Sequence, residues 1–174
     1  MPASEALSRE VVHRCAELGF AAAGVCGAKP SAHAEAFRGW LPDGKHGSMT
    51  WLADHANIRL APRRLTEGLD ADRPAASGVM VADLYAARSD GIDEVVSEGF
   101  GRIARYARGR DYHRVMKKRL HALCDALRER HPGELFRAFV DTAPVMEREL
   151  AARCGLGWIG KHTLLIHPRG GSWV

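Results

Sequence analysis

Between Asp111 and Arg130 the chain reads DYHRVMKKRLHALCDALRER, with Val115, Met116, Leu120, Leu123, Cys124 and Leu127 at the spacing of one helical face. His131-Pro132-Gly133 ends this helix. An apolar stripe of that length has to be covered by another element, and strand-like runs lie on both sides of it in sequence. Phe20 to Cys26 and Gly78 to Leu84 precede it, and Phe136 to Val140 follows. A first helix is expected from Ser4 to Leu18, with Ala6, Leu7, Val11, Val12, Cys15 and Leu18 on one side and Gly19 as its stop. Further helices are expected over residues 30–40, around Met49 to Ala56, and from Pro144 to Arg153 before Gly155. Arg102 to Tyr106 reads as extended and Thr163 to His167 as a last strand. Helices and strands interleave irregularly, which predicts an α/β (α+β) fold, one central sheet flanked by helices, in a single domain over 1–174.

No apolar run approaches the roughly 20 residues that span a bilayer, so no membrane segment is expected. The N-terminal MPASEALSREVVHRCAELGF lacks the apolar core of a secretion signal, which makes the cytoplasm the default. Cys15, Cys26, Cys124 and Cys154 form no CxxC pair, so they read as free thiols in a reducing compartment, with no metal site among them. A formal charge of +4 points weakly to a polyanionic partner. The chain stops at GGSWV, like a strand cut in its middle, and is expected to continue beyond Val174.

Asp141 stands where the run Phe136–Val140 meets the segment Thr142-Ala143-Pro144. Pro144 fits a first helical turn, and Asp141 or Thr142 can cap that helix through a side-chain oxygen. The end of a strand facing a helix N-terminus is also where α/β sheets place ligands. A cap stays ionised beside the helix dipole, whereas a proton donor requires desolvation. Spacing alone favours the cap.

Two other stretches are candidates for chemistry. Gly155-Leu156-Gly157-Trp158-Ile159-Gly160-Lys161-His162-Thr163 has glycines that let a backbone approach a ligand closely, followed by three donors. It is neither a P-loop nor a dinucleotide fingerprint, and a tight helix-to-strand turn accounts for Gly155 better than for Gly157 and Gly160. Arg102, Arg105, Arg108 and Arg110 surround Tyr106 and precede Tyr112, and Arg114, Lys117, Lys118 and Arg119 continue the charge. Such a cluster suits a phosphate backbone with bases stacked on the rings, and equally a solvated helix face. The nine histidines show no ligand spacing and read as mostly surface groups. Arg59, Arg63 and Arg64 around Pro62 form a further anion-site candidate in what reads as a solvated loop.

Together, RYARGRDYHRVMKKRL, FVDTAPVMERELA and GLGWIGKHTLLI resemble the corresponding blocks of the epoxyqueuosine reductase family, as does the earlier HGSMTWLADHANIRLAPRRL. The resemblance covers almost the whole chain, with a poor match over 66–98. It implies reduction of epoxyqueuosine to queuosine in tRNA, with cobalamin and two 4Fe–4S clusters as cofactors. It also implies that Asp141 is the proton donor, desolvated by the flat corrin, and that Arg59, Tyr106, Lys161, His162, Thr163 and Ser172 line that corrin. Arg105, Arg108, Arg110, Lys117 and Lys118 become the tRNA contacts. Two features depart from the family: His162 stands where it usually has Asn, and the cysteine-rich ferredoxin-like domain is missing. The chain is thus expected to be the catalytic, cobalamin-binding part, with electrons arriving from an iron–sulfur domain or protein. Two alternatives are a corrinoid- or tRNA-binding module without catalysis, and a corrinoid reductase for another electrophile such as an organohalide.

Overall fold

The structure is a computed structural model that describes residues 5–67, 69, 73–85 and 98–173. Its centre is an antiparallel pair, β1 (Ala22–Gly27) and β2 (Ser77–Ala82), with Ala22 opposite Ala82 and Gly27 opposite Ser77. Side chains alternate across a strand, so this ladder has two faces to cover. Ala23, Val25, Val79 and Val81 pack on Val11 and Cys15 of α1 (Glu5–Glu17), on Phe20, and on Leu123 and Leu127. The last two belong to a helix over Tyr112–Arg130. Ala22, Met80 and Ala82 pack in the opposite direction, against Ala151, Cys154, Leu156 and Leu165. The result is three layers: two helices, the ladder, and a short helix with its following turn.

Between β1 and β2 the chain forms α2 (Ala34–Trp40), α3 (Trp51–Asp54), α4 (Ala56–Leu60) and a 3-10 turn, Pro62–Thr66. Leu60 is among the most buried side chains, 2% exposed, and anchors this excursion. A second 3-10 turn, Arg105–Ala107, leads to α5 (Tyr112–Arg130). Then come α6 (Glu147–Arg153), β3 (Trp158–Ile159) and β4 (Leu165–Ile166), the last two paired antiparallel. Among the described residues the strands thus form two antiparallel pairs, where the sequence predicts one central sheet. The mixture of helix and strand is as predicted.

The predicted long helix is α5, and its apolar stripe faces inward as its spacing requires, except for Val115, which is 37% exposed. Asp111 caps it, its Oδ1 accepting the His113 backbone N–H at 3.0 Å. Arg119 ties the helix to the ladder: it pairs with Asp83, donates to the Gly19 carbonyl at 3.0 Å and lies over the Phe20 ring at 4.5 Å. Gly19 and Gly155 end their helices with φ of 83° and 79°, as the sequence suggests. The expected strand Phe136–Val140 forms no ladder; the Phe136 carbonyl instead accepts from Arg128 on α5 at 2.8 Å. Thr163–His167 shrinks to Leu165–Ile166 because Thr163 turns through a left-handed φ of 70°. The expected start at Ser4 and the chain end at Val174 lie outside the described residues.

Buried polar groups fix α6 in place. Glu149, 7% exposed, accepts from the Ser31 hydroxyl at 2.5 Å and from the Ala32 N–H at 2.9 Å. Arg153 reaches back to the carbonyls of Gly27 and Lys29 at 2.6 and 3.0 Å. Cys15 and Cys124 are buried and Cys26 and Cys154 half-buried, all as free thiols. Burial pushes the Cys15 thiol up to about 11. Among the described residues no helix is long and apolar enough to cross a membrane.

Contact between the ladder and α6 is close enough to require glycine at position 24. A Cβ there would meet the Cys154 carbonyl oxygen at 2.1 Å, whereas a Cβ on Gly27 would meet nothing within 4 Å. Gly24→Ala is therefore expected to lower unfolding stability by about 1–3 kcal/mol in urea titrations, and Gly27→Ala to change it by less than about 0.5 kcal/mol. Equal effects of the two would contradict this packing.

Candidate active site

The segment carrying Asp141 is a loop, and that changes the role of the carboxylate. Helix α6 begins at Glu147, six residues after Asp141, and its N-cap is Met146, with no side-chain cap bond. Neither Asp141 nor Thr142 caps it, which corrects the reading that spacing favours. The Thr142 hydroxyl donates to the Val140 carbonyl at 3.3 Å. Pro144 lies ahead of the helix, in a run of bends over 141–144. Asp141 itself has φ of 61°, a left-handed backbone that non-glycine residues seldom adopt and that Asp tolerates better than most.

This backbone aims the Asp141 carboxylate at the first turn of α5. The Tyr112 hydroxyl donates to Oδ2 at 2.5 Å, and His113 Nε2 lies 3.4 Å from the same oxygen. The other ring nitrogen of His113, Nδ1, is 3.0 Å from Asp111 Oδ1. Tyr112 and His113 stack on each other at 4.0 Å. The helix cap thus places two side chains of α5 against a carboxylate that arrives from 29 positions later in the chain. The hydrogen bond to Asp141 disfavours the phenolate, and Tyr112 is pushed up to about 12. His113 is the functional candidate that histidine spacing does not reveal; the readable signal is its place two residues after the capping Asp111.

Aromatic rings continue outward from this point. Tyr106 meets Tyr112 edge-on at 6.3 Å and Tyr85 at 6.4 Å, and Tyr85 meets Trp173 at 5.8 Å. The Tyr85 hydroxyl donates to the Ser172 carbonyl at 2.9 Å, and Ser172 Oγ lies 2.8 Å from His162 Nε2. The Arg105 guanidinium sits over Trp173 at 5.5 Å. Tyr106 is 55% exposed, so the row forms an open aromatic ledge. The structure therefore brings Asp141, Tyr106, His162 and Ser172 into one connected row. Tyr112, Tyr85 and Trp173 link them; Tyr85 and Trp173 are aromatics that the spacing of the candidate motifs does not single out.

Glu147 lies near Asp141, and Arg59 near Glu147. Arg59, at the end of α4, donates to the Val145 carbonyl at 3.1 Å just ahead of α6. Its Nε is buried without a hydrogen-bond partner. Burial raises the Glu147 carboxyl above its ordinary range, with the Asp141 charge raising it further and Arg59 opposing. Glu147 was not among the sequence candidates; its signal lies in its position on the first turn of α6, set by the fold alone.

The glycine-rich stretch has a structural use. A Cβ at Gly157 would meet the Ile166 carbonyl oxygen at 2.1 Å, and one at Gly160 would meet the His162 ring at 2.5 Å. The Gly160 N–H donates to the Leu164 carbonyl at 2.9 Å. These glycines serve the close approach of β3 and β4 rather than the open donor array that their spacing suggests. Thr163 gives its carbonyl to Arg148 at 2.6 Å, and Lys161 is exposed on the same turn. Of the basic residues, Arg110, Lys117 and Lys118 are exposed, the lysines on the outer face of α5, while the Arg108 Nε donates to the Ile103 carbonyl at 3.0 Å. Arg64 pairs with Glu67 at 2.6 Å rather than with Arg59 and Arg63 in an anion site.

The bond between Tyr112 and Asp141 has a measurable signature. In Asp141→Asn the tyrosine should titrate closer to the ordinary value of about 10, read from tyrosinate absorbance. A raised folded pKa stabilises the native state below the unfolded pKa. This contribution is therefore whole at neutral pH and lost as pH climbs from about 10 through about 12. An unchanged Tyr112 titration in the variant would break the assignment.

Comparison with known proteins gives one family. Residues 59–142 match the family model described as epoxyqueuosine reductase QueG, DUF1730. The epoxyqueuosine reductase of Xanthomonas campestris pv. campestris is 39% identical over 160 residues, which are 90% of this chain and 43% of that protein. That of Vibrio cholerae serotype O1 is 36% identical over 168 residues, 96% of this chain and 44% of the relative. An epoxyqueuosine reductase crystallised with a tRNA-Tyr epoxyqueuosine-modified stem loop superposes with a TM-score of 0.75 at 23% identity, over 97% of this chain and 43% of that one. The Streptococcus thermophilus enzyme gives 0.74 at 22% identity, over 95% and 43%. The chain thus spans less than half the length of the relatives it matches. The chain is thus similar, over most of its own length, to a part of the epoxyqueuosine reductases, and it shares the fold of the corresponding part of the solved ones.

Proposed function

We propose that this chain carries the cofactor-binding and proton-donating part of a reductase that converts epoxyqueuosine in tRNA to queuosine, with Asp141 as the proton donor. The observation behind this reading is the Asp141 carboxylate, set on a left-handed backbone and fastened by Tyr112 at 2.5 Å at one end of an exposed aromatic ledge. Such backbone costs of order 1–3 kcal/mol and persists where surrounding contacts over-determine it, commonly at functional sites. Opening an epoxide reductively leaves an oxygen that needs a proton, and a positioned carboxyl group supplies one. For the Bacillus subtilis relative, a catalytic loop bearing an aspartate is described as swung out of the active site. Asp141 likewise lies in a loop rather than on a helix.

The residues present fit a cobalamin. Tyr85, Tyr106 and Trp173 offer an exposed apolar surface for a flat macrocycle, and Ser172, His162 and the buried, unpartnered Nε of Arg59 are polar groups for its periphery. Lys161 and Thr163 stand on the adjoining turn. When bound, the cobalt supplies electrons to the epoxide carbon. The chain's own part is to orient the substrate against Asp141, to exclude water with the aromatic row and to deliver the proton from the carboxyl group. An iron–sulfur cluster does not fit this chain: its four cysteines are dispersed, and two lie in the core. Electron delivery is assigned to a separate iron–sulfur domain or protein. For the tRNA, the exposed Arg110, Lys117 and Lys118 offer phosphate contacts, joined by Arg105 and Arg108 beside the ledge.

Three experiments test the reading. Titrating the chain with cobalamin should shift the cobalt absorption spectrum, and an unchanged spectrum with the fold intact would remove the cofactor from the proposal. In the full-length context, Asp141→Asn should lower turnover by about 10²–10⁴-fold with cobalamin binding retained. Persistence of both binding activities without any turnover in the wild-type protein would favour the non-catalytic module. Affinity for a tRNA stem loop should fall with salt, and Lys117→Ala/Lys118→Ala should flatten the log–log slope by about 1 to 2.

A further inference from the structure

Resting on the reading of Asp141 as proton donor, we infer that His113 and Asp111 form a relay behind it, which restores the proton that Asp141 gives up. The geometry is a carboxylate–imidazole–carboxylate line. Asp111 Oδ1 lies 3.0 Å from His113 Nδ1, and His113 Nε2 lies 3.4 Å from Asp141 Oδ2. Asp111 is not free to turn away, because the same Oδ1 accepts the His113 backbone N–H as the cap of α5. That capping carboxylate can only accept, so the ring presents its Nδ1–H to Asp111 and keeps Nε2 toward Asp141. The ring plane is held by stacking on Tyr112 at 4.0 Å. A partner on one ring nitrogen thus sets the role of the other.

The proton balance is closed. Asp141 gives its proton to the departing oxygen and becomes a carboxylate. Protonated His113 transfers the Nε2 proton to Asp141 Oδ2 and becomes the neutral ring, with its Nδ1–H still on Asp111. Water then returns a proton to Nε2, which is reachable because the His113 side chain is 45% exposed. Tyr112 donates to the same Asp141 oxygen and stays protonated throughout. The other groups facing this line are Arg114, whose Nε lies 3.7 Å from Asp111 Oδ2, and Tyr106 against Tyr112. Glu147, from α6, acts on Asp141 through its charge. In this arrangement His113 is a positioning and proton-supplying residue that acts through Asp141.

Long-range ¹⁵N–¹H NMR on the chain itself gives a readout that needs neither cofactor nor turnover. His113 should show the Nδ1–H tautomer when neutral, and Asp111→Asn should abolish that preference. A neutral ring with Nε2–H, or a tautomer indifferent to Asp111→Asn, would overturn the relay. In the full-length enzyme, His113→Phe should cut steady-state turnover about tenfold or more and alter its pH profile, while a single-turnover reduction is slowed less. If His113→Phe lowers all rates equally with an unaltered pH profile, His113 has only a structural role and the inference fails. If Asp141→Asn keeps full turnover while the tautomer is as expected, it is the proton-donor reading that fails.

Discussion

A two-stranded ladder is too small to hold together alone in water, so the structure depends on covering both faces of β1 and β2. The sequence of the ladder is written for this. Ala23, Val25, Val79 and Val81 serve α1 and α5, while Ala22, Met80 and Ala82 serve α6. The α6 side is the tighter of the two, because the Cys154 carbonyl rests where a side chain at position 24 would be. Small residues on that face bring a short helix close, and the buried Glu149 holds it there through Ser31 and Ala32.

That packing positions the site without building it. Helix α5 lies on one face of the ladder and α6 on the other, and the site forms where the N-terminal turn of the first meets the loop entering the second. Asp111 starts α5 by a local interaction, and this fixes Tyr112 and His113 in its first turn. The loop over 141–144 then meets them from the direction of α6. A left-handed residue at this point spends backbone energy to aim one carboxylate, and the bond from Tyr112 holds it. Arg59 from α4 and Glu147 from α6 add charged groups near this loop.

Much of this was legible because it is local. The stripe of α5 and the stops at Gly19 and Gly155 all follow from residues within one or two turns of each other. Expectations failed where a distant partner decides. Phe136–Val140 has strand composition, yet its carbonyl at Phe136 goes to Arg128 instead of a neighbouring strand. The glycines from 155 to 160 look like a ligand cradle, but Gly157 admits the backbone of β4 and Gly160 the side chains of His162 and Ile166. Nothing in the spacing of the histidines distinguishes His113, because its partners are a cap two residues before it and a loop far ahead.

The sequence by itself determined most of the helices and their glycine stops, and the blocks FVDTAPVMERELA and GLGWIGKHTLLI that resemble those of epoxyqueuosine reductases. Local hydrogen bonding and side-chain periodicity are complete within such stretches, so they can be read without the fold. Only the tertiary structure decided that Asp141 does not cap α6. Spacing favours the cap on paper, and the correction rests on α6 starting six residues later and on Tyr112 reaching Oδ2 from another helix. A carboxylate takes the role of whichever donor reaches it, and that donor is set by how α5 and α6 pack across the ladder.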